Sequence, residues 1–256
     1  MGPGEEECTL SARGGHRKKH AMVEAPFSLG DLFGGGGGGG EEGGDEEGQI
    51  YEVSSLQFGD RHLRIRQFAY HRANGNQVWP GAFTLSSFLT ASPLLEKLQG
   101  CDEATTCCIL ELGAATGALS IFLSAPPFNL KLHTSDIDDG GEVESNIAHN
   151  FELNGQTKVR HIAHTWGTGW RKSCEGGGDC PAYKYIIASD ILLYVSAYPA
   201  LVATLDELFT IRGPDAEFIM VWNRRIAQSQ QFFELMKQAG FTCHHHGECV
   251  FSFRRL

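Results

Sequence analysis

The amino-acid sequence predicts an α/β protein built on a doubly wound, mainly parallel β-sheet. Three observations lead to this prediction. Short apolar segments alternate with amphipathic ones from about residue 107, the first apolar segment runs into a glycine-rich turn, and a hairpin pattern ends the chain. Alternating strands and helices favour a parallel sheet, because each helix carries the chain back to start the next strand in the same direction.

The start of the chain differs in composition from the rest. The first 50 residues contain 15 of the 32 glycines and ten acidic residues against four basic ones. Seven consecutive glycines at positions 34–40 precede an acidic run from Glu41 to Glu47. A segment so poor in apolar residues cannot bury enough surface to offset the entropy lost on ordering. We therefore expect a disordered tail over residues 1–49 and one folded domain over residues 50–256.

Composition also argues against several classes of partner. The net charge of −10 comes mostly from the tail, whereas nucleic-acid binding requires a broad positive field. No apolar run approaches the roughly 18–20 residues of a membrane span, and Met1 to Glu7 do not resemble a secretory signal. We expect a monomeric cytoplasmic protein with reduced thiols and no nucleic-acid or membrane partner. A short basic cluster at positions 16–20 leaves an additional nuclear location open.

Two groups of metal-ligating residues do not form a recognisable metal site. Cys174 with Cys180, and the run from Cys243 to Cys249 with its three histidines, lack the tight paired spacings of zinc sites. We therefore predict no metal ligands and assign the later group to an ordinary strand.

The first part of the domain predicts a β-hairpin followed by a helix. Residues 51–53 and 63–68 alternate apolar with polar side chains, as half-buried strands do, and Asn74-Gly75 indicates a turn. Proline suits the first turn of a helix, so a helix is expected to begin at Val78-Trp79-Pro80. Its apolar face continues to Leu98.

Strands and helices then alternate to the end of the chain. We predict strands at 107–112, 130–135, 159–163, 185–188 and 217–222, and helices at 118–124, 141–154, 198–209 and 227–239. Val143, Ile147 and Phe151 recur every four residues, which is typical of one buried helix face. Strands at 241–246 and 250–253 close the chain as an antiparallel hairpin.

The turn after the first strand of this series is the strongest candidate for a ligand site. In open α/β sheets, ligands bind beyond the carboxyl ends of the strands, where the strand order reverses. Gly113, Ala115 and Gly117 carry little side chain, so a ligand can approach the backbone closely. Glu111 precedes them, and its carboxylate suits the ammonium group of an amino acid moiety. The G-x-x-x-G spacing departs from the G-x-G-x-x-G of dinucleotide folds.

Acidic and aromatic residues follow the next three strands. Asp136 lies about 20 residues beyond the glycines, where a carboxylate can accept both ribose hydroxyls of a nucleoside. Trp166 stands beside a glycine and can lie flat against an adenine ring, although this position also suits plain core. Asp190 leaves the predicted sheet at its centre, where a transferred group would lie. Together with Glu111, these residues favour S-adenosyl-L-methionine as the ligand.

Several segments resemble methyltransferase family 16. The resemblance spans about residues 50–256 and is carried by Val78 to Ala82, Ile109 to Gly117, Asn146 to Asn150, Trp166-Gly167 and Asp190 to Tyr194. These seven-β-strand methyltransferases are related to the methyltransferase-like 21 group, many of which methylate protein lysines. The resemblance implies a Rossmann-like class I methyltransferase fold, with a seven-stranded sheet, a C-terminal antiparallel hairpin and an N-terminal β-hairpin extension. It also implies S-adenosyl-L-methionine as cofactor and a protein lysine as substrate.

The resemblance assigns roles to individual residues. It implies a cofactor site lined by Glu111, Gly113, Ala115, Gly117 and Ala188, with Asp136 on the ribose, Trp166 beside the adenine and Trp79 closing the site. Two positions depart from the family pattern. Ala115 stands where the family often has glycine, and Leu193 stands where its Asp-x-x-Tyr motif has tyrosine, so that the tyrosine comes one residue later.

Asp190 and Tyr194 are the predicted catalytic residues. In-line methyl transfer to a neutral amine depends mainly on positioning. A nearby carboxylate raises the pKa of a lysine, so Asp190 is better suited to orient the amine than to deprotonate it. Tyr194 or Tyr198 can accept a hydrogen bond from the amine.

Three alternative functions stay open. A nicotinamide-dependent oxidoreductase would use a similar sheet, although the glycine spacing argues against it. A non-catalytic interaction protein would keep the fold, and a methyltransferase of another side chain or a small molecule would keep the cofactor. Ala125 to Phe128 resemble the Pro-Pro loop of base and glutamine methyltransferases, but they lack its polar first residue and follow a helix instead of the fourth strand.

Overall fold

The computed structural model describes residues 41–44, 50–91, 93–100, 109–174, 180–223 and 226–256. Most of the predicted tail, including the basic cluster at 16–20, lies outside these residues, so its disorder stays a prediction. Within the range of the predicted tail, Glu41–Gly44 form a short strand, β1. Backbone pairing does not depend on side-chain type, which allows an acidic and glycine-rich segment to join a sheet edge.

The predicted N-terminal hairpin is confirmed and belongs to a small antiparallel sheet. Strands β2 (Ile50–Phe58) and β3 (Arg61–Phe68) pair along their whole length, and β1 pairs with the outer edge of β2. Leu63 and Ile65 are buried whereas Arg64 between them is exposed, as the alternation in the sequence predicts.

A seven-stranded sheet forms the centre of the fold, which confirms the predicted fold class. Its strands are β4 (Ile109–Leu112), β5 (Leu132–Asp136), β6 (His161–Ala163), β7 (Tyr185–Ser189), β8 (Glu217–Val221), β9 (Phe241–Gly247) and β10 (Val250–Arg255). They lie in the order β6-β5-β4-β7-β8-β10-β9. Strands β4 to β8 are parallel, and β10 runs antiparallel to both β8 and β9. The strand order therefore reverses between β4 and β7.

Seven α-helices occur in the described residues. They are α1 (Pro80–Ala91), α2 (Leu94–Gln99), α3 (Ala118–Ser124), α4 (Glu142–Leu153), α5 (Trp170–Cys174), α6 (Tyr198–Arg212) and α7 (Gln230–Gln238). The helix predicted from Pro80 to Leu98 is in fact two helices. Pro93 precedes α2 directly, and a proline disfavours helical backbone in the residue before it. Helix α5 was not predicted, because five residues are too few to show a helical period. No described helix has the length and apolar character needed to span a membrane.

Hydrophobic side chains form two clusters, one on each face of the large sheet. Ile109 and Ile187 belong to the cluster that includes side chains of α1 to α4, whereas Leu110 and Ile186 belong to the cluster that includes α5 to α7. Burying one such side chain stabilises the fold by roughly 1.5–3 kcal/mol. Because side chains alternate along a strand, Glu111 follows Ile109 onto the face that α3 covers.

Helix α4 attaches the small sheet to the large one through asparagine side chains. Asn150 accepts a hydrogen bond from the backbone N–H of Arg66 and donates one to its carbonyl, at 2.7 and 3.2 Å. Asn154, one turn later, makes the same pair of bonds to Arg64, at 3.0 and 2.8 Å. These two side-chain amides therefore bind the backbone N–H and carbonyl groups at the edge of β3, as a neighbouring strand would. Asn150 also donates to the carbonyl of Thr116 at 3.0 Å, within the glycine turn.

Candidate active site

A cavity lies at the carboxyl ends of β4 and β7, where the strand order reverses. This is the position at which open α/β sheets bind ligands. Its walls include Trp79, Glu111, Gly113, Ala115, Thr116 and Ser189. Four of the predicted cofactor-binding residues are therefore brought together at one cavity.

The glycine turn has a left-handed backbone at three positions. Gly113, Ala115 and Gly117 have φ values of 73°, 49° and 75°. A Cβ atom at Gly113 would lie 2.8 Å from Cγ2 of Ile191, so this position requires glycine. Gly117 ends the turn just before α3. Ala115 keeps the same conformation with one methyl group, so the departure from the family glycine leaves the backbone path intact.

Glu111 is a buried carboxyl group that opens on the cavity. Its side chain accepts a hydrogen bond from the hydroxyl of Ser120 on α3. Burial raises the pKa of Glu111 from its ordinary 4.5 to about 8, despite the lowering effect of the Ser120 hydrogen bonds. The group is thus mostly protonated at neutral pH, and a cation beside it would favour its ionised form. This donor set suits the ammonium group of an amino acid moiety.

Asp136 ends strand β5 and holds the glycine turn in place. One of its carboxylate oxygens accepts the backbone N–H of Ala115 and the other that of Ile137, each at 2.7 Å. Burial raises the pKa of Asp136, and these two hydrogen bonds act in the opposite direction. A carboxylate offers about four acceptor sites, so two backbone donors leave acceptor capacity for hydroxyl groups. The predicted ribose contact is compatible with this arrangement and stays a prediction.

Of the two predicted tryptophans, Trp79 lines the cavity and Trp166 does not. Trp79 lines the cavity, and its indole N–H donates to the carbonyl of Asn74 at 3.0 Å. Trp166 lies near the turn, because a Cβ atom at Gly113 would be 3.9 Å from its Cζ2 atom. It is not among the residues that line the cavity, and its adenine contact also stays a prediction.

Ala188 and Ser189 differ in position although they are neighbours. The side chain of Ala188 is fully buried in the cluster of α5 to α7, on the far face of the sheet. Ser189 lines the cavity instead. Ser189 was not predicted as a site residue, although extending the alternation of β7 by one residue indicates it.

Asp190, predicted from the sequence as a catalytic residue, is held by backbone hydrogen bonds, and its catalytic role stays a prediction. It is 3% exposed, has a φ of 51° and does not line the cavity. One carboxylate oxygen accepts the backbone N–H of Gly81 at 2.6 Å, and the other accepts that of Asn223 at 2.9 Å. The carboxylate therefore joins the start of α1 to the segment after β8. This geometry favours a structural role over direct contact with an amine.

The two candidate tyrosines have different environments. Tyr198 is fully buried and its hydroxyl donates to the carbonyl of Leu192 at 3.1 Å, so it is not available to an acceptor. Tyr194 is 48% exposed, and its hydroxyl accepts a hydrogen bond from the side-chain amide of Asn74. Of the two, only Tyr194 can meet an acceptor that enters from solvent.

Among the described residues, one group of three metal-ligating side chains lies close together. It consists of His71, Asp139 and Glu142. His71 accepts the N–H of Gly75 at Nδ1, so its Nε2 carries the proton and donates to Asp139 at 3.1 Å. Asp139 also accepts backbone N–H groups at the start of α4. Hydrogen bonding and helix capping account for this group without a metal ion.

The cysteines and histidines considered as metal ligands from the sequence take part in ordinary packing and hydrogen bonding. Cys174 and Cys180 are free thiols, and burial raises the pKa of Cys174 to about 12. On β9, His245 contacts the carbonyl of Glu248 and His246 contacts the hydroxyl of Ser252, as residues of a typical hairpin would.

Comparison with known proteins links this site to one family. A family model described as lysine methyltransferase matches residues 57–239. The protein-lysine N-methyltransferase EFM3 of Chaetomium thermophilum is 27% identical over 174 residues, which cover 66% of this chain and 48% of that protein. The protein N-terminal and lysine N-methyltransferase EFM7 of Cryptococcus neoformans var. neoformans serotype D is 25% identical over 153 residues, or 59% and 48% of the two chains.

This chain thus spans about half the length of these curated relatives. Among solved structures, the METTL16 MTase domain aligns with 84% of this chain and 85% of its own, at 12% identity and a TM-score of 0.49. The family match covers strands β4 to β8 and every cavity residue named above, from Trp79 to Ser189. The chain therefore belongs to methyltransferase family 16, the lysine methyltransferases.

Proposed function

We propose that this protein is an S-adenosyl-L-methionine-dependent N-methyltransferase that methylates a lysine side chain of a protein. The observation that carries the proposal is the buried carboxyl of Glu111, which opens on the cavity beside the left-handed turn at Gly113. Membership of the family supports the reaction type. The names of the relatives EFM3 and EFM7 support a protein lysine as the acceptor.

Different residues around the cavity can bind different parts of the cofactor. Glu111 would bind its ammonium group, Asp136 its ribose hydroxyls, and Trp166 one face of its adenine. The room inside this cavity is about 20 Å³, far below the roughly 300–1,000 Å³ of small-molecule pockets. The nucleoside would therefore extend beyond the cavity along the strand ends, toward Asp136 and Trp166. When bound, the cofactor supplies an electrophilic methyl group on a sulfonium sulfur.

The protein's own contribution to transfer is positioning. A lysine amine has an unperturbed pKa of about 10.4, so it must lose a proton before it can attack. An apolar approach lowers this pKa, and Tyr194 would accept a hydrogen bond from the neutral amine. Asp190 fixes the backbone on which the acceptor side is built, through its bonds to Gly81 and Asn223.

Calorimetry with purified protein tests the cofactor. We expect S-adenosylmethionine and S-adenosylhomocysteine to bind and NAD to give no heat. Binding of NAD alone would contradict the proposal and support an oxidoreductase.

Incubation with cell extract and methyl-labelled S-adenosylmethionine tests the acceptor. We expect label on a protein at lysine, identified by mass spectrometry of the labelled band. Label found only in the small-molecule fraction would overturn the protein substrate, and cofactor binding without any transfer would support a non-catalytic role.

A further inference from the structure

Asn74 is hydrogen-bonded to two residues of the candidate site, Trp79 and Tyr194. Its carbonyl accepts the indole N–H of Trp79 at 3.0 Å, and Trp79 lines the cavity. Its side-chain amide donates to the hydroxyl of Tyr194, a residue 120 positions away in the sequence. One residue thus touches a wall of the cofactor cavity and the exposed tyrosine that follows β7.

The loop that carries Asn74 has little freedom to move. Asn74 has a φ of 59°, and its own N–H donates to the carbonyl of His71 at 3.0 Å. His71 is bonded in turn to Asp139, which lies three residues after Asp136. A Cβ atom at Gly75 would lie 2.9 Å from Cγ2 of Val143 on α4, so the loop packs closely against that helix. Asn74 is consequently held from several directions.

The hydrogen bond from Asn74 also determines which hydrogen-bonding groups of the Tyr194 hydroxyl are available to a further partner. The amide occupies one lone pair of the phenol oxygen. Within the described residues no other hydrogen bond to the Tyr194 hydroxyl is found, so its second lone pair and its proton can serve another partner. Because Tyr194 is about half exposed, that partner can be a molecule that enters from solvent.

We propose that Asn74 is a positioning residue for methyl transfer. It holds the Trp79 indole at the cofactor cavity and the Tyr194 hydroxyl on the acceptor side at one fixed separation. Asn74 touches neither cofactor nor acceptor in this scheme and acts only through its two neighbours. The proposal rests on the proposed methyltransferase function and assigns Tyr194 to the acceptor. A displacement of about 1 Å at a reacting centre can lower a rate up to about 100-fold, so a small release of Tyr194 is sufficient to matter.

The variant N74G tests the side chain alone. Glycine keeps the left-handed backbone and the carbonyl that binds Trp79, and it removes only the amide. We expect calorimetry to give a Kd for S-adenosylhomocysteine within about twofold of wild type. The rate of label transfer from S-adenosylmethionine to protein in cell extract should fall by roughly 10- to 100-fold. The matched control is N129G, since Asn129 also has a left-handed φ, of 51°, and lies on an exposed turn. Its rate should equal that of wild type.

A double variant separates positioning from general weakening. If Asn74 acts through Tyr194, the variant N74G/Y194F should transfer no more slowly than Y194F alone. The proposal would be overturned if the rate losses of N74G and Y194F multiplied in the double variant. It would also be overturned if the Kd of N74G for S-adenosylhomocysteine rose in proportion to its loss of rate.

A third measurement does not depend on turnover. The side-chain amide resonances of Asn74 in a ¹H–¹⁵N spectrum should shift in Y194F, because their hydrogen-bond acceptor is lost. Unchanged resonances would overturn the proposal even in an active enzyme. If wild-type protein fails to bind S-adenosylhomocysteine while the resonances shift, the contact exists but the proposed function fails, and the role of Asn74 in transfer fails with it.

Discussion

At the scale of the residue, the chemistry of Glu111 depends strongly on its surroundings. At the end of an ordinary exposed strand it would be ionised at neutral pH, but burial raises its pKa to about 8, although the hydrogen bonds from Ser120 act in the opposite direction. A bound ammonium group would lower that pKa again, because an opposite charge favours the ionised form. Ligand binding and proton release are thereby coupled at one carboxyl group.

This coupling predicts that cofactor binding releases protons. In calorimetry of S-adenosylmethionine binding at pH 7, we expect the apparent enthalpy to depend on the ionisation enthalpy of the buffer. Affinity should rise as the pH increases from 6 to 8, as Glu111 ionises. The variant E111Q cannot release this proton, so its binding should be weaker and its dependence on buffer much smaller. A wild-type enthalpy that is equal in all buffers would contradict the assignment.

The same pKa predicts the pH dependence of stability in the absence of ligand. Glu111 ionises near 4.5 in the unfolded chain and near 8 in the folded protein, so the unfolded state binds fewer protons between these values. Stability should therefore fall as the pH rises from about 4.5 to 8. The variant E111Q removes this penalty. We expect urea titrations to find it more stable than wild type at pH 8, by on the order of 2–4 kcal/mol, with a smaller difference at pH 5.

Asp190 predicts a loss of stability on an almost isosteric change. In D190N the amide nitrogen must face one of the two backbone N–H groups, of Gly81 or Asn223, that the carboxylate accepts. We expect the free energy of unfolding to fall by about 2–4 kcal/mol in urea titrations. The variant D138N serves as control, since Asp138 lies in a loop and is exposed. If D190N kept its stability but lost methyl transfer, the result would support a direct catalytic role for Asp190.

At the scale of elements, α4 links the small sheet to the ligand site. Asn150 contacts both the edge of β3 and Thr116 in the glycine turn, whereas Asn154 contacts only β3 among these partners. We expect N150A to weaken S-adenosylhomocysteine binding in calorimetry and to increase hydrogen exchange at the N–H of Arg66. N154A should increase exchange at the N–H of Arg64 and leave binding unchanged. Equal binding by both variants would show that the turn does not depend on this contact.

Elements with a full hydrophobic period were predictable, and the shortest ones were not. Helix α3 matches its predicted bounds, 118–124, and the hairpin of β9 and β10 was expected from its alternation. Helix α5 has five residues, fewer than two turns, so no period could reveal it. The break at Pro93 was readable in principle, since proline disfavours helix in the residue before it.

At the scale of the whole molecule, the sequence predicts where ligand residues lie more reliably than what each one contacts. The order of strands and turns was sufficient to bring Glu111, Gly113 and Ala115 to one cavity. Local sequence does not show that Asp190 binds two backbone segments or that Asn74 reaches Tyr194. Those contacts join residues 33 to 120 positions apart and depend on the packing of several elements.

The amide side chains of α4 bind main-chain atoms of β3, and this has a consequence for variation in the hairpin. Hydrogen bonds to backbone N–H and carbonyl groups do not depend directly on the side chains of the residues that supply those groups. Proline is excluded at positions 64 and 66, because it lacks the N–H that Asn154 and Asn150 require, and Arg66 also donates through its side chain to Asn146 at 2.9 Å. The backbone part of this attachment can thus stay constant while other side chains of the hairpin vary, in evolution or in a designed library.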